Sequence, residues 1–180
     1  MSPALKTSMN FLGDCRGVSA VEFAFLMPVM MTLFLGSVET TQGIAVNRKV
    51  TLTTHALADL ASQYTDVTNA DMSNILAAGS AIIAPYASSK LQETVSEVAI
   101  DANGVGTVVW SDTLGGTALS VGTVVTVPSA LAAPNSYLVL SQVQYSYAPT
   151  YGYVLTGTIS LHDQIFMRPR QSNTISRTAS

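Results

Sequence analysis

The sequence predicts an α+β protein: a long N-terminal transmembrane helix, kinked at Pro28, and then a small head with one helix and an antiparallel β-sheet. Three observations predict it. Residues 18–38 hold a single charge, Glu22, in 21 positions. Beyond them, Val50, Leu57 and Tyr64 recur every seven residues, with Thr53 and Leu60 between. The remainder is cut by Asn-Gly, Gly-Gly and Pro into short runs of Val, Ile, Leu and Tyr.

The apolar run comes first. Twenty-one helical residues span about 31 Å at 1.5 Å per residue, enough for a hydrocarbon core about 30 Å thick. Ser19, Thr32 and Ser37 can bond back to helix carbonyls and do not oppose insertion. The run is longer than a secretory signal, carries a carboxylate near its start and lacks a small-residue cleavage step at its end. Cys15 stands before the run and follows Asp14, which is the wrong order for a lipoprotein signal. Lys6 and Arg16 precede the run, whereas the first charge after it is Glu39. This bias places the N-terminus in the cytoplasm and the bulk of the chain outside the inner membrane.

The 3–4 spacing of the stalk residues draws one apolar stripe, with Arg48, Lys49, His55, Asp59 and Gln63 mostly elsewhere. One helix is therefore expected from about Ser19 to about Gln63. Pro28 removes a backbone bond and clashes with the carbonyl four residues earlier, so a kink or local unwinding near Ala24 is expected.

A break follows at 65–68. Thr68 with Asp71 three positions on resembles a capping box. Ile75, Leu76, Ala78, Ile82 and Ile83 support a second helix of about 15 residues that Pro85 ends. The rest reads as strands. Val95, Val98 and Ile100 lead into Asp101-Ala102-Asn103-Gly104, a hairpin signal, with return at 107–110. Gly115-Gly116 marks a turn, and 121–127 holds a short edge strand before Pro128. Residues 137–147 and 159–167 are further strands. The organisation is a leader at 1–17, a transmembrane and stalk helix at 18–64, an exported head at 65–170 and a loose polar tail at 171–180.

Composition narrows the function. The net charge is −3, and only 11% of residues are charged. Lys6, Arg16 and Asp14 give the first 17 residues +1, so the remainder carries −4. An acidic exported body with no basic cluster offers nothing to nucleic acid. Its lack of cysteine rules out disulfides there. The chain has two histidines, no nucleophile elbow, no P-loop, no H-E-x-x-H and no dinucleotide fingerprint. No enzyme activity, cofactor, metal or small-molecule substrate is expected. His55, and His162 beside Asp163, are expected to be solvated or structurally bonded. Tyr137, Tyr145, Tyr147, Tyr151 and Tyr153 are expected as strand packing with hydroxyls at the rim. Arg168 and Arg170 are expected to pair with Glu93, Glu97 or Asp101 on neighbouring strands.

A carboxylate at the head of a membrane segment is costly and asks for a reason. Here it stands five residues past Gly17, in Arg16-Gly17-Val18-Ser19-Ala20-Val21-Glu22-Phe23-Ala24-Phe25-Leu26-Met27-Pro28. That string resembles the N-terminal motif of TadE-like proteins, pilin-related proteins of tight-adherence (Flp-type) pili. Val143-Gln144-Tyr145-Ser146-Tyr147-Ala148-Pro149 and Phe166-Met167-Arg168-Pro169-Arg170 resemble, more softly, the C-terminal part of such proteins. The resemblance implies that a membrane prepilin peptidase cuts the Gly17–Val18 bond. It further implies that Glu22 then pairs with the new ammonium of a neighbouring subunit and sets register during assembly. The implied partners are the inner membrane, the peptidase, other pilin or pseudopilin subunits and the pilus assembly platform. The implied role is that of a minor pilin or pseudopilin, reaching the pilus or cell surface after assembly. Hydropathy alone is equally met by an uncleaved single-pass anchor with an exported partner-binding head.

Overall fold

The computed structural model describes residues 16–149, 152 and 156–178, with side chains from residue 18 onward. Cys15, most of the leader, Tyr151 and Tyr153 lie outside the described residues.

The apolar run and the stripe beyond it form one helix, α1 (Arg16–Ser62), of 47 residues. At 1.5 Å per residue it is about 70 Å long. Helical structure is unbroken at Ala24 and Pro28, so the expected local unwinding does not occur. Beside the proline, Thr32 Oγ1 donates to the Pro28 carbonyl at 2.8 Å, the back-bonding that threonine offers inside apolar helices.

The expected stripe is the packed face of the upper half. Val46, Val50, Thr53, Leu57 and Ala61 are fully buried, and Leu60 and Tyr64 pack at its margin. His55 is exposed. The chain breaks after Ser62, forms β1 (Asp66–Val67) and enters α2 (Asn69–Ile83). Thr68 caps α2 reciprocally. Its Oγ1 accepts from Asp71 N at 3.2 Å, while the Asp71 carboxylate accepts from Thr68 N at 3.1 Å. The Thr68 hydroxyl also donates to Asp71 Oδ2 at 2.6 Å, and that bond, followed by the one from Thr68 N, holds the Asp71 carboxyl below its usual range.

After a 3-10 turn (Ser88–Lys90) come β2 (Leu91–Ile100), β3 (Gly106–Leu114), β4 (Val124–Val125), β5 (Ser136–Tyr147) and β6 (Ile159–Met167). They form one antiparallel sheet in the order β4-β3-β2-β5-β6. The Asn-Gly signal is the β2–β3 turn. Asp101 Oδ1 accepts from Asn103 N and Val105 N, both at 2.8 Å, and Gly104 takes the left-handed backbone (φ +80°) that glycine adopts at least cost. A bulge at Glu97/Val98 shifts the β2–β3 register by one residue.

One face of the sheet lies on the helices. Leu91, Val95, Val139, Val143, Tyr145 and Tyr147 join Val50 and Leu57 of α1 and Ile75 and Ile83 of α2 in a single core. On the opposite face, Gln92, Thr94, Gln142, Gln144, His162 and Gln164 line a shallow polar groove.

The segment expected to be a loose tail is tied down. Ile175 is fully buried, and β7 (Ser176–Arg177) pairs in parallel with β1. One apolar residue in a polar stretch is enough when the core offers it a slot and a buried acid takes its N–H.

Candidate assembly helix and its junction with the head

The lower half of α1 is apolar on every side apart from Glu22 and packs against none of the head among the described residues. Residues 18–34 are all exposed, Phe25 to 76% and Leu33 to 69%. An 18-residue window there has a mean hydropathy of 2.0 with none of it buried. This helix is long and apolar enough to cross a membrane, and a soluble protein rarely leaves so large an apolar surface bare.

Gly17, Val18 and Glu22 all lie within α1. Val18 and Glu22 are four residues apart, so they share a helix face and stand about 6 Å apart along the axis. Both are exposed. The helix therefore presents the carboxylate outward beside the residue that the expected cut would make the new terminus.

Burial begins at Glu39, which is fully enclosed. From there upward Lys49 and Arg170 help to fasten the helix to the head. Lys49 Nζ donates to the Ile82 carbonyl at 2.9 Å and to the Ala84 carbonyl, capping the C-terminal end of α2 with a cation. Arg170 donates its backbone N–H to the Ser62 carbonyl at 2.8 Å, and its guanidinium pairs with Asp59. Thr53, Thr54 and Ser62 are polar but buried. Thr54 Oγ1 returns to Val50 O at 2.9 Å, which keeps a hydroxyl satisfied on an apolar face.

The charge pairing expected within the sheet is not found. Arg168 and Arg170 follow β6, and β5 separates β6 from β2, so neither arginine reaches Glu93 or Glu97. Arg170 turns to α1 instead. Asp101 is used in its own turn, where the bond from Val105 N leads in keeping its carboxyl below the usual range. Glu93 and Glu97 are fully buried. Glu97 is well bonded: Ile175 N donates to Oε1 at 2.6 Å, Thr174 Oγ1 to Oε1 at 3.0 Å, and Trp110 Nε1 to Oε2 at 3.0 Å. Burial nonetheless pushes its pKa up, with those bonds pulling against it.

The buried acids were within reach of the sequence. Leu91, Glu93, Val95 and Glu97 alternate with polar or small residues, and a two-residue period puts all four on one face. Tyr145 and Tyr147 are buried by that rule, and Tyr147 even keeps an unpartnered hydroxyl inside. His162 is exposed on the polar face. Among the described residues no group of three or more His, Cys, Asp or Glu could hold a metal ion.

Residues 17–59 match the family model described as TadE-like protein. Over this helix the chain is similar to TadE-like proteins, as the motif around Gly17 and Glu22 implied. The match suggests a Tad pilus-associated membrane protein, and the helix it covers is long and apolar enough to cross a membrane. The match ends before α2 and does not extend to Val143–Pro149 or Phe166–Arg170. No curated protein and no solved structure matches the chain.

Proposed function

We propose that this chain is a minor pilin or pseudopilin of a Flp-type pilus, with no enzymatic activity of its own. It is inserted once in the inner membrane, with the N-terminus cytoplasmic and the head periplasmic. A prepilin peptidase cuts between Gly17 and Val18. The freed helix then leaves the bilayer for a filament, exchanging lipid contacts for those of neighbouring helices. Glu22 pairs with the terminal ammonium of an adjacent subunit, an attraction that strengthens out of water and offsets the carboxylate's desolvation.

The observation that supports this best is the bare helix itself. Residues 18–34 have no partner in the head, and Glu22 lies among them one turn from Val18. The large head is hard to repeat along a thin fibre, which favours a place at the tip or in initiation. Mass spectrometry of the mature N-terminus, with and without the peptidase, tests the cut: a chain beginning at Val18 is expected only with the enzyme. Glu22→Ala should leave that cut intact and lower pilus yield, and normal piliation in this variant would remove the carboxylate's proposed role.

One observation favours the alternative of an uncleaved anchor with a partner-binding head. Helix α1 includes Arg16, Gly17 and Val18 and so runs through the Gly17–Val18 bond, and a helical peptide bond must unwind before a protease can take it. A mature chain that retains Met1 in the presence of the peptidase would establish that reading.

A further inference from the structure

Glu93 is fully buried, and both of its carboxyl oxygens lack a hydrogen-bond partner among the described residues. An isolated buried carboxylate is among the most costly groups a fold can hold, and the usual outcome is that it stays protonated. The surroundings fit a neutral acid. Glu93 lies on the helix-facing side of β2 where α1, α2 and the sheet meet. A Cβ placed on Gly79 of α2 would lie 1.8 Å from Glu93 Oε1, 2.6 Å from its Cδ and 3.0 Å from Thr53 Cγ2 of α1. Only a glycine lets α2 lie this close to the acid. Thr53 Oγ1 is also buried without a partner.

Among the described residues no cation answers the acid. Helix α2 carries no basic residue, and its one acid, Asp71, is spent in the capping box. On α1, Lys49 is held by the α2 carbonyls, Asp59 by Arg170, and His55 faces solvent. On the strands, Asp112 of β3 is paired with Arg177, and Glu97 is bonded to Trp110 and the tail. Tyr145 and Tyr147 of β5 are themselves pushed up by burial and offer no positive charge.

We propose that Glu93 is a proton-operated latch: as the neutral acid it lets α2 close over β2 at Gly79, and on releasing its proton to solvent it lifts α2 until water reaches the carboxylate. Only the O–H bond of the carboxyl breaks, and the proton leaves to water. The moving part is α2 because the alternatives are held harder. Strand β2 is hydrogen-bonded along both edges to β3 and β5. Helix α1 packs against β5 and β6 along its upper half. Helix α2 is held by the apolar contacts of Met72, Ile75, Leu76 and Ile83, with side-chain bonds at its ends from Lys49 and from Arg177 to Asn69, and has no strand ladder to keep it in place. Burial raises the Glu93 pKa to about 7, so the latch turns near neutrality. Against a solvated value near 4.5, the gain in opening is bounded at roughly 300-fold.

Hydrogen exchange on the full chain in lipid nanodiscs, at pH 5.5 and 8.5 and normalised for intrinsic exchange, tests this. The α2 amides should open at least tenfold more at pH 8.5, with those of β5 unchanged, and Glu93→Gln should abolish the difference. Glu93→Leu provides a second uncharged side chain, which should hold α2 closed at both pH values. Equal α2 protection at the two pH values in the unmodified chain, or a rise that persists in both variants, would overturn the latch. The outcome does not depend on whether Gly17–Val18 is cut.

Discussion

Ile175 donates its backbone N–H to Glu97 Oε1 at 2.6 Å, joining positions 78 residues apart. Thr174 adds a second bond to the same oxygen, and Trp110 shares its indole N–H between Glu97 Oε2 and the Ile175 carbonyl. A single acid in the sheet thereby anchors the C-terminal strap. Glu97→Ala strips a buried N–H of its acceptor and opens a hole beside Trp110. A loss of about 3 kcal/mol is expected, from about 1–3 kcal/mol per orphaned polar group plus the cavity. Urea unfolding followed by Trp110 fluorescence measures it. Limited trypsin digestion should now cut readily at Arg170 and Arg177.

The buried acids also set how the head responds to pH. Burial raises the Glu93 pKa from 4.5 to about 7 and moves that of Glu97 the same way. The folded state therefore binds more protons than the unfolded chain between about pH 4.5 and 7. The contribution of these two acids to stability is most favourable below the unfolded value, falls across that window and levels off above 7. At about 1.36 kcal/mol per pKa unit, Glu93 accounts for a fall of about 3 kcal/mol. Thermal melting across pH 4–9 should show this slope, and Glu93→Gln should flatten most of it.

Lys49 is expected to matter through α2 rather than through a charge pair. Its ammonium meets two carbonyls at a helix end that is otherwise uncapped by any side chain of α2. Lys49→Met keeps most of the aliphatic stem and removes the donor. A loss of about 1–2 kcal/mol is expected, from hydrogen bonds to a charged group, together with faster exchange of the amides in the last turn of α2.

The two ion pairs should differ sharply. Arg170 and Asp59 are 56% and 39% exposed, and solvent screens them. Asp59→Asn should change stability by less than about 1 kcal/mol. Arg177 is 16% exposed, grips both Asp112 oxygens at 2.8 and 3.1 Å and also reaches Asn69 Oδ1 at 2.7 Å. Lysine cannot reproduce that fork, so Arg177→Lys should cost about 2 kcal/mol, from lost charge-assisted bonds. Chemical denaturation of both variants, in one buffer, compares them directly.

Much of this architecture is written in local chemistry. The 21-residue run, the seven-residue stripe, the Thr68–Asp71 box and the Asn103–Gly104 turn each depend on neighbours within a few positions, and each is where the sequence suggests. Residues 159–167 form the expected strand. What escaped was long-range. The β1–β7 pair consists of two residues on each side, separated by 110 positions, and no local pattern marks it. The tail looked free because its composition is polar, yet Ile175 and the donors for Glu97 lie within it. Charge alone pairs the arginines after β6 with Glu93, Glu97 or Asp101, but β5 lies between β6 and β2. The string around Gly17, Val18 and Glu22 is legible as a motif: the family match begins at Gly17, and the structure sets all three residues on one helix.

Helix α1 passes without interruption from a bare lower half to an upper half clasped by the head from Glu39 onward. With no joint between them, the azimuth of the globular part is indexed to the phase of the rod beneath it. Adding one residue between 34 and 39 would swing the head by about 100° around the rod axis and raise it by about 1.5 Å. Whatever grips the lower half thus also dictates which side of the head faces outward.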